Sequence, residues 1–479
     1  MTVRTCSNRE PNQRLRAVME EAGCSSTGLA RRVNLCGAER GLDLRYDKTS
    51  VARWLRGQQP RGRAPVIIAE ALERKLGRVV TAEEIGMRTE QGAASAIGLR
   101  FEAEAADALQ QVCALWRSEA NFTAASPAGE KLATSVLVQS SRDWLIADPD
   151  PAPTGDGPTP VGPGDVAAVR AMAEAFADLD HRFGSGHTRM VTVRYLDGVV
   201  AGLLGGAYGE ATGRPLLGAA ARLTELAGYM AADTGLLGLA QRYYIQALRL
   251  AQAADDRRFG GYVLAAGMSQ VALTLGNPRE TVQLARVARE GAREEGGPAI
   301  QILARAAEAR GYALMGDPRA CDANAEKALQ ELERSAPGED PGPGSQVDRG
   351  YVAEQLARCN QDLDRPQEAA QWAQEALRCT PPERTRRRVL RLLLLGAVQL
   401  RLGSPDDSRT SALHAAELLS TVRSVRCSQE LESLRLRLRT PGRHDGASGD
   451  PGRYEEAARN PGRHEEASGN PPCPVRPVG

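Results

Sequence analysis

The sequence predicts an all-α protein, and three observations carry that prediction. Apolar residues recur at three- and four-residue spacing through nearly every stretch that is not rich in Pro and Gly. Five short segments with helix start or stop signals fall within the first 90 residues. A loose repeat of roughly 40 residues runs through the second half, the period of stacked helical hairpins. The expected architecture is a five-helix helix-turn-helix domain, then a tetratricopeptide-like α-solenoid, then a disordered C-terminal tail. With 479 residues, more than one core is expected.

Residues 1–11 carry no periodic pattern and are expected to form a disordered lead-in. From Asn12 to Ala22, Leu15, Val18, Met19 and Ala22 repeat at helical spacing, and Gly23 ends the run. Ser25 or Ser26 caps a second helix whose apolar face is Leu29, Ala30 and Val33. A long connection, Asn34 to Tyr46, leads to the third. Pro65 starts a fourth helix through Leu76, with Ile67, Ile68, Ala71 and Leu72 apolar. Thr81-Ala82-Glu83-Glu84-Ile85 reads as a capping box opening a short fifth helix. Together, 12–90 form the expected DNA-binding domain, and 91–147 a helical connector anchored by Trp116 and Trp144.

The third helix is the centre of this reading. Asp47 is a natural N-cap, because its carboxylate accepts from the free amides of the first turn. Gly57 is a natural stop, since glycine enters the left-handed conformation without strain. Between them Val51, Trp54 and Leu55 form one apolar stripe, leaving Lys48, Thr49, Ser50, Arg53 and Arg56 on the other faces. Hydroxyls and arginines on a short helix suit the major groove, where they read base edges and phosphates. Gln58 follows at the helix end, and Arg61 and Arg63 in the next Gly/Pro-rich loop are placed to clamp the backbone. The DNA-binding set expected is Lys48, Thr49, Ser50, Arg53, Arg56, Gln58, Arg61 and Arg63.

Charge supports that assignment. Residues 1–88 hold 17 Lys/Arg against 10 Asp/Glu, a net of +7, although the whole chain is only +1. A basic head on a mildly acidic body is the pattern of a nucleic-acid-binding module attached to another domain.

The segments "STGLARRVN", "KTSVARWLRGQQP" and "IAEALERKLGRVVTAEEIGM" resemble the phage-repressor/Cro class of helix-turn-helix domains. More closely, the stretch from Gly28 to Leu72 resembles actinomycete developmental regulators of the NsdA type, negative regulators of differentiation, sporulation and antibiotic production. The departure is the insertion around Cys36 to Arg45, which replaces the usual tight turn between helices two and three. The resemblance implies a transcriptional repressor in which Lys48, Thr49, Ser50 and Arg53 face DNA while Trp54 packs inside.

Asp148 to Gly164 is almost entirely Pro, Gly, Asp, Thr and Ala, the composition of a semi-extended linker and domain boundary. From 165 to 439 the chain reads as amphipathic helix. Small residues Ala240, Thr281, Cys321, Ala369 and Ser408 anchor five repeat copies, spaced by 41, 40, 48 and 39. Helices ahead of three copies end in "LTLGNPRE", "LMGDPRA" and "LRLGSPDD", a leucine-rich turn into Gly-x-Pro. Such repeats stack into a superhelix with a concave binding surface. The "SAPGEDPGPGS" at 335–345 is a disordered insertion that explains the spacing of 48. The tail carries three near-identical decamers between Pro441 and Asn470, with little to bury, so 440–479 is expected to be disordered.

No phosphate loop, metalloprotease motif or nucleophile elbow is present, so no catalytic residue or cofactor is expected. His181 and His187 flank "RFGSG", but a metal needs three or four converging ligands, and a helix end with a polar loop is the better reading. The Gly-rich run Gly202 to Gly213 reads as close helix packing. The nine cysteines show no metal spacing or disulfide framework. The expectation is a non-enzymatic, cytoplasmic, nucleoid-associated protein with double-stranded DNA as partner. A homodimer through the repeats, a peptide or protein in the groove, and a head spacing set across 148–164 complete it; no membrane contact is expected. The alternative is a tetratricopeptide scaffold that does not bind DNA.

Overall fold

Short helices hold only when caps and tertiary contacts replace the hydrogen bonds their ends lack, and the N-terminal unit has both. The computed structural model describes residues 11–39, 44–60, 64–76, 78, 80, 82, 84–87, 97–121, 133–151, 153–293, 297–335 and 347–439. The lead-in 1–10, Arg61, Arg63, Thr81, Glu83, nearly all of the 335–345 insertion and the tail 440–479 lie outside these residues. Of the expected fifth helix, Ala82 and Glu84 to Gly86 are in turns.

Four helices are described in the head: α1 (Gln13–Glu21), α2 (Ser26–Glu39), α3 (Lys48–Leu55) and α4 (Ala64–Leu76). Their apolar stripes meet in one core that includes Leu15, Val18, Leu29, Val33, Val51, Trp54, Ile68 and Leu72. Asn12 ties three segments together. Its Oδ1 accepts from the Leu15 amide at 3.0 Å, its Nδ2 donates to the Ile85 carbonyl at 2.9 Å, and its amide donates to the Leu55 carbonyl at 3.0 Å.

The connection between the second and third helices is shorter than expected. Asn34 to Glu39 continue α2, because Cys36 finds a buried place and Gly37 lets the Leu44 side chain approach. A Cβ on Gly37 would lie 2.5 Å from the nearest Leu44 carbon.

The second unit begins at Gly98. Its outer helices are α5 (Ala105–Ala120) and α6 (Ser135–Ile146), followed by β1 (Gly155–Asp156). Next come α7 (Pro163–Phe183), α8 (Ser185–Tyr195) with a π-helical continuation Leu196–Val200, α9 (Ala201–Leu204) and β2 (Ala207–Tyr208). Five hairpins follow. They are α10 (Glu210–Asp233) with α11 (Leu237–Ala253), then α12 (Arg257–Tyr262), π-helical Val263–Met268 and α13 (Ser269–Thr274) with α14 (Pro278–Gly291). The others are α15 (Gly297–Leu314) with α16 (Pro318–Arg334), α17 (Arg349–Asp362) with α18 (Pro366–Arg378), and α19 (Thr385–Arg401) with α20 (Pro405–Leu419). The last helix is α21 (Val425–Arg439). The chain is all-α apart from one two-residue antiparallel strand pair among the described residues.

The hairpin turns share one solution. Gly235, Gly276, Gly316 and Gly403 sit at positive φ, and Asp364 takes the same place at φ 59°. After each, an amide reaches back five residues into the first helix: Leu236 to Ala231, Asn277 to Ala272, Asp317 to Tyr312, Arg365 to Asn360 and Ser404 to Gln399, at 2.8–3.0 Å. A proline then opens the second helix at 278, 318, 366 and 405, where its missing amide is harmless. The five small residues that set the repeat register each fall at the fourth position of the second helix. All are buried: Ala240 0%, Thr281 1%, Cys321 1%, Ala369 0% and Ser408 0%. The Ser408 hydroxyl donates to the Gly396 carbonyl across the hairpin at 2.7 Å.

Two expectations are corrected here. Residues 148–164 are not a linker, and the unit boundary falls between Ile97 and Gly98 instead. Helices 105–120 and 135–146 therefore belong to the second unit rather than to a connector. The 148–164 segment is docked along its length. Asp150 pairs with Arg249 at 2.7 and 3.0 Å, Gly155–Asp156 pairs with Ala207–Tyr208, Val161 is buried, and Pro163 is the first residue of α7. Proline and glycine cannot build a core, but their backbone found partners on a neighbouring surface. That surface is the Gly-rich run, where Gly205, Gly206 and Gly213 receive 153–161 rather than packing helix on helix. The docked segment cannot set the spacing of heads as a flexible connection would.

The second correction concerns the concave groove. The inner helices do not leave it open: α7 packs on both α10 and α19, so the first and last hairpins meet. Arg386 of α19 lies at the junction, 2.7 Å from Asp180, 2.7 Å from the Tyr229 hydroxyl, 3.1 Å from Ser185 and 3.6 Å from Asp233. Ser424 donates to Asp233 at 2.8 Å, the Gly186 amide to the Arg423 carbonyl at 2.9 Å, and the Arg423 amide to the Phe183 carbonyl at 2.8 Å.

Candidate nucleic-acid interface

The α3 helix begins and ends as its sequence requires. Asp47 is extended (φ −130°, ψ −179°), and its carboxylate accepts from the Ser50 amide at 2.8 Å and the Ser50 hydroxyl at 2.9 Å. The hydrogen bond from the Ser50 amide, with that from its hydroxyl, holds the Asp47 carboxyl below its ordinary range. At the other end Gly57 adopts φ 90°, and the Gln58 amide donates back to the Arg53 carbonyl at 3.0 Å.

The insertion before α3 does not leave its angle loose, because Asn34 grips Tyr46 by both backbone groups. Asn34 Nδ2 donates to the Tyr46 carbonyl and the Tyr46 amide donates to Asn34 Oδ1, each at 2.9 Å. The Tyr46 ring then meets Trp54 edge-on with centroids 4.9 Å apart. One side chain on α2 thus fixes where α3 starts. The buried face of α3 is Ser50, Val51 and Trp54, with Trp54 only 4% exposed.

Of the residues expected at DNA, Lys48, Thr49, Arg53, Arg56 and Gln58 are exposed. Ser50 is not: it is 8% exposed, and its hydroxyl serves the Asp47 cap, so it is withdrawn from the DNA-facing set. Arg61 and Arg63 lie outside the described residues. Positions 48, 49, 52, 53 and 56 line one side of a helix, with Ala52 half-buried between the longer side chains. Arg56 folds back so that its Nε donates to the Ala52 carbonyl at 3.1 Å.

Arg53 and Arg56 meet only neutral oxygens of their own helix, the Ser50 hydroxyl at 3.5 Å and the Ala52 carbonyl. Among the described residues, no carboxylate pairs with Lys48, Arg53 or Arg56. Two other arginines of the head are neutralised: Arg74 lies 2.7 Å from Glu70, and Arg78 lies 2.7 Å from Glu21 and 2.8 Å from Glu84. Sequence reasoning passed over Arg31 and Arg32, two exposed cations on α2, the helix packed against α3. Their adjacency within "LARRVN" was the available signal. Such a face offers three cations and a hydroxyl to a polyanion, on a helix narrow enough for a groove about 12 Å wide.

No group of His, Cys, Asp and Glu that would hold a metal ion occurs among the described residues. His181 instead faces Arg384, its Nδ1 2.7 Å from the guanidinium. No helix among them is long and apolar enough to cross a membrane. Residues 15–88 match the family model of the SP15 N-terminal domain, so the segment from within α1 through α4 is similar to that domain. No curated protein matches the chain.

Proposed function

We propose that the chain is a DNA-binding transcriptional regulator of the helix-turn-helix kind, with α3 entering the major groove and α2 crossing the backbone. The observation that carries this reading is the basic face of α3: Lys48, Arg53 and Arg56 are exposed with no carboxylate partner among the described residues, whereas Arg74 and Arg78 of the same head are held by Glu70, Glu21 and Glu84. Arg53 is the base reader in this reading, and Lys48, Arg56, Arg31 and Arg32 hold phosphates. The resemblance to NsdA-type regulators adds a repressive role in differentiation, sporulation and antibiotic production to the proposal, and DNA binding would hold the protein at the nucleoid. The five hairpins, with their common turn and buried anchors, support a tetratricopeptide-like body.

A single head reads too few bases to find one site in a genome, so a dimer is part of the proposal. An apolar cleft of about 330 Å³ between α7 and α8 supports it, with Leu179, Phe183 and Val191 exposed by 42%, 45% and 56%. Selection of duplexes from a random library by the full chain should enrich one motif arranged as two half-sites. Arg53→Ala should weaken binding to that motif by about 1–3 kcal/mol while hardly changing binding to random DNA. If no sequence is enriched, the protein-scaffold alternative replaces this reading.

A further inference from the structure

A cysteine at a packed helical position ordinarily behaves as a small hydrophobe. Two in one contact cluster can do more, and the second unit holds such a pair. Cys321 on α16 and Cys359 on α17 share a small buried core with Ala309 and Ala313 of α15, and are 1% and 2% exposed. They stand on opposite sides of the seam between the third and fourth hairpins, and both are free thiols.

Their meeting follows from the repeat. Cys321 is the small anchor at the fourth position of its helix, and Cys359 lies five residues before the positive-φ Asp364. One hairpin earlier the place of Cys359 is taken by Gly311, five residues before Gly316. A Cβ on Gly311 would lie 2.5 Å from Val282 and 2.9 Å from the Pro278 carbonyl, in the first turns of α14 where Thr281 is the anchor. The same register brings the Cys359 side chain to the first turns of α16, where the anchor is a second cysteine. Neighbours of both cysteines bridge the same seam: Arg365 holds Asp322 at 2.8 and 3.1 Å, and Arg310 pairs with Asp362. A hydrogen bond from the Cys321 thiol, then the nearby Arg310 guanidinium, hold Cys359 below its ordinary value against burial, while Cys321 is held up. One thiol is set to ionise and attack, and the other to resolve.

We propose that Cys321 and Cys359 are a reversible dithiol–disulfide pair that staples the third hairpin to the fourth when the protein meets a peroxide. The oxidant is small and neutral, as a site this buried requires. The Cys359 thiolate attacks one peroxide oxygen and the O–O bond breaks. The departing hydroxide takes up the proton that Cys359 lost and leaves as water, so the sulfur is oxidised to a sulfenic acid and the peroxide is reduced. The Cys321 sulfur then attacks the Cys359 sulfur. The S–O bond breaks, and the hydroxide leaves with the Cys321 proton as a second water. Two thiols and one peroxide thus give one disulfide and two waters, and a thiol reductant reverses the bond by exchange. Closing the chain from 321 to 359 stabilises the fold chiefly by restricting the unfolded state. This pair stands independently of DNA binding by the head.

The test is peptide mapping of the full chain after treatment with hydrogen peroxide, alkylation in urea without reductant, and digestion with trypsin. Trypsin cuts after Arg319, Lys327, Arg358 and Arg378 but not at Arg365, which precedes Pro366. Cys321 therefore leaves in 320–327 and Cys359 in 359–378, with no other cysteine in either. The two peptides should appear joined, lighter by two hydrogens, and separate on adding dithiothreitol. Cys321→Ala puts at this anchor the residue that Ala240 and Ala369 already place there, so it should fold. In that variant Cys359 should stop at the sulfenic acid, which dimedone labels, whereas Cys359→Ala should leave Cys321 a free thiol. Oxidised wild type should melt several degrees above its reduced form, and Cys321→Ala should show no such rise. The proposal is overturned if the two peptides stay unlinked in treated protein whose circular dichroism is unchanged. It is also overturned if either cysteine joins Cys24, Cys113 or Cys379 instead.

Discussion

Arg386→Ala tests how the second unit closes on itself. The guanidinium is 3% exposed and faces Asp180 and Asp233, whose side chains are 1% and 4% exposed. It also donates to Ser185 and to the Tyr229 hydroxyl, and lies over the Tyr229 ring at 4.8 Å. Removing it leaves two buried carboxylates facing each other with no cation between them. Breaking a buried pair in this way costs about 3–5 kcal/mol, and loss of the ring contact adds to that. Burial already pushes the Asp180 carboxyl up while Arg386 pulls it down, so the variant should be most destabilised near neutral pH and recover in acid. Urea unfolding followed by tryptophan emission suits the measurement, because Trp116, Trp144 and Trp372 lie in this unit and only Trp54 in the head. Hydrogen exchange localises the effect. The amides of Gly186 and Arg423 bond only across the junction, so they should lose protection while α14 and α15 keep theirs. The triple variant Asp180→Asn, Arg386→Met, Asp233→Asn should recover most of the loss, since a neutral isostere often matches a buried pair. A single variant within about 0.5 kcal/mol of wild type, well below the range for a broken buried pair, would refute the reasoning.

Trp54→Ala should destabilise the head by about 3–5 kcal/mol through the cavity it leaves beside Tyr46; a head that kept its thermal transition while losing DNA binding would show the faces of α3 reversed. Asn34→Ala should lower head stability by about 2 kcal/mol, because both backbone groups of Tyr46 lose their partner. Unchanged stability with unchanged DNA affinity would show that the Asn34 clamp does not set α3. Glu225→Gln should alter the pH dependence of the second unit. Folded Glu225 titrates near 7 against an ordinary 4.5, so it keeps a proton that the unfolded chain has lost, and its contribution falls as pH rises through that window. The change is on the order of 3 kcal/mol. Arg222, Asp180, Tyr244 and Tyr262 face the same carboxyl, and His181, held near 3, makes an opposite contribution between 3 and 6.5. The difference between wild-type and Gln stability curves isolates Glu225, and a flat difference would show that its carboxyl is not buried as described.

The sequence by itself determined what depends on neighbours within a few residues. The Asp47 cap, the Gly57 stop, the Trp54 stripe and the Gly-x-Pro hairpin turns are local hydrogen bonds and local sterics, so residue type and spacing specify them. The buried anchors Ala240, Thr281, Cys321, Ala369 and Ser408 were legible for a related reason, since each repeat solves the same short-range packing problem. The exposed face of α3 followed from helix periodicity, except at Ser50. There a hydroxyl that suits a base also suits a capping box, and only the structure chose.

Tertiary structure decided the rest, through contacts that no local pattern encodes. The segment 148–164 has the composition of a linker, yet Asp150 meets Arg249 from 99 residues away. The groove reads as open from any one repeat, yet Arg386 reaches Ser185 across 201 residues and closes it. Asp180 and Asp233 lie in helical stretches and Asp150 in a Pro/Gly-rich one, all places where a charge is ordinarily hydrated. They are buried, or nearly so, because arginines arriving from remote helices replace that water, and the meeting of such distant partners is a property of the folded chain alone.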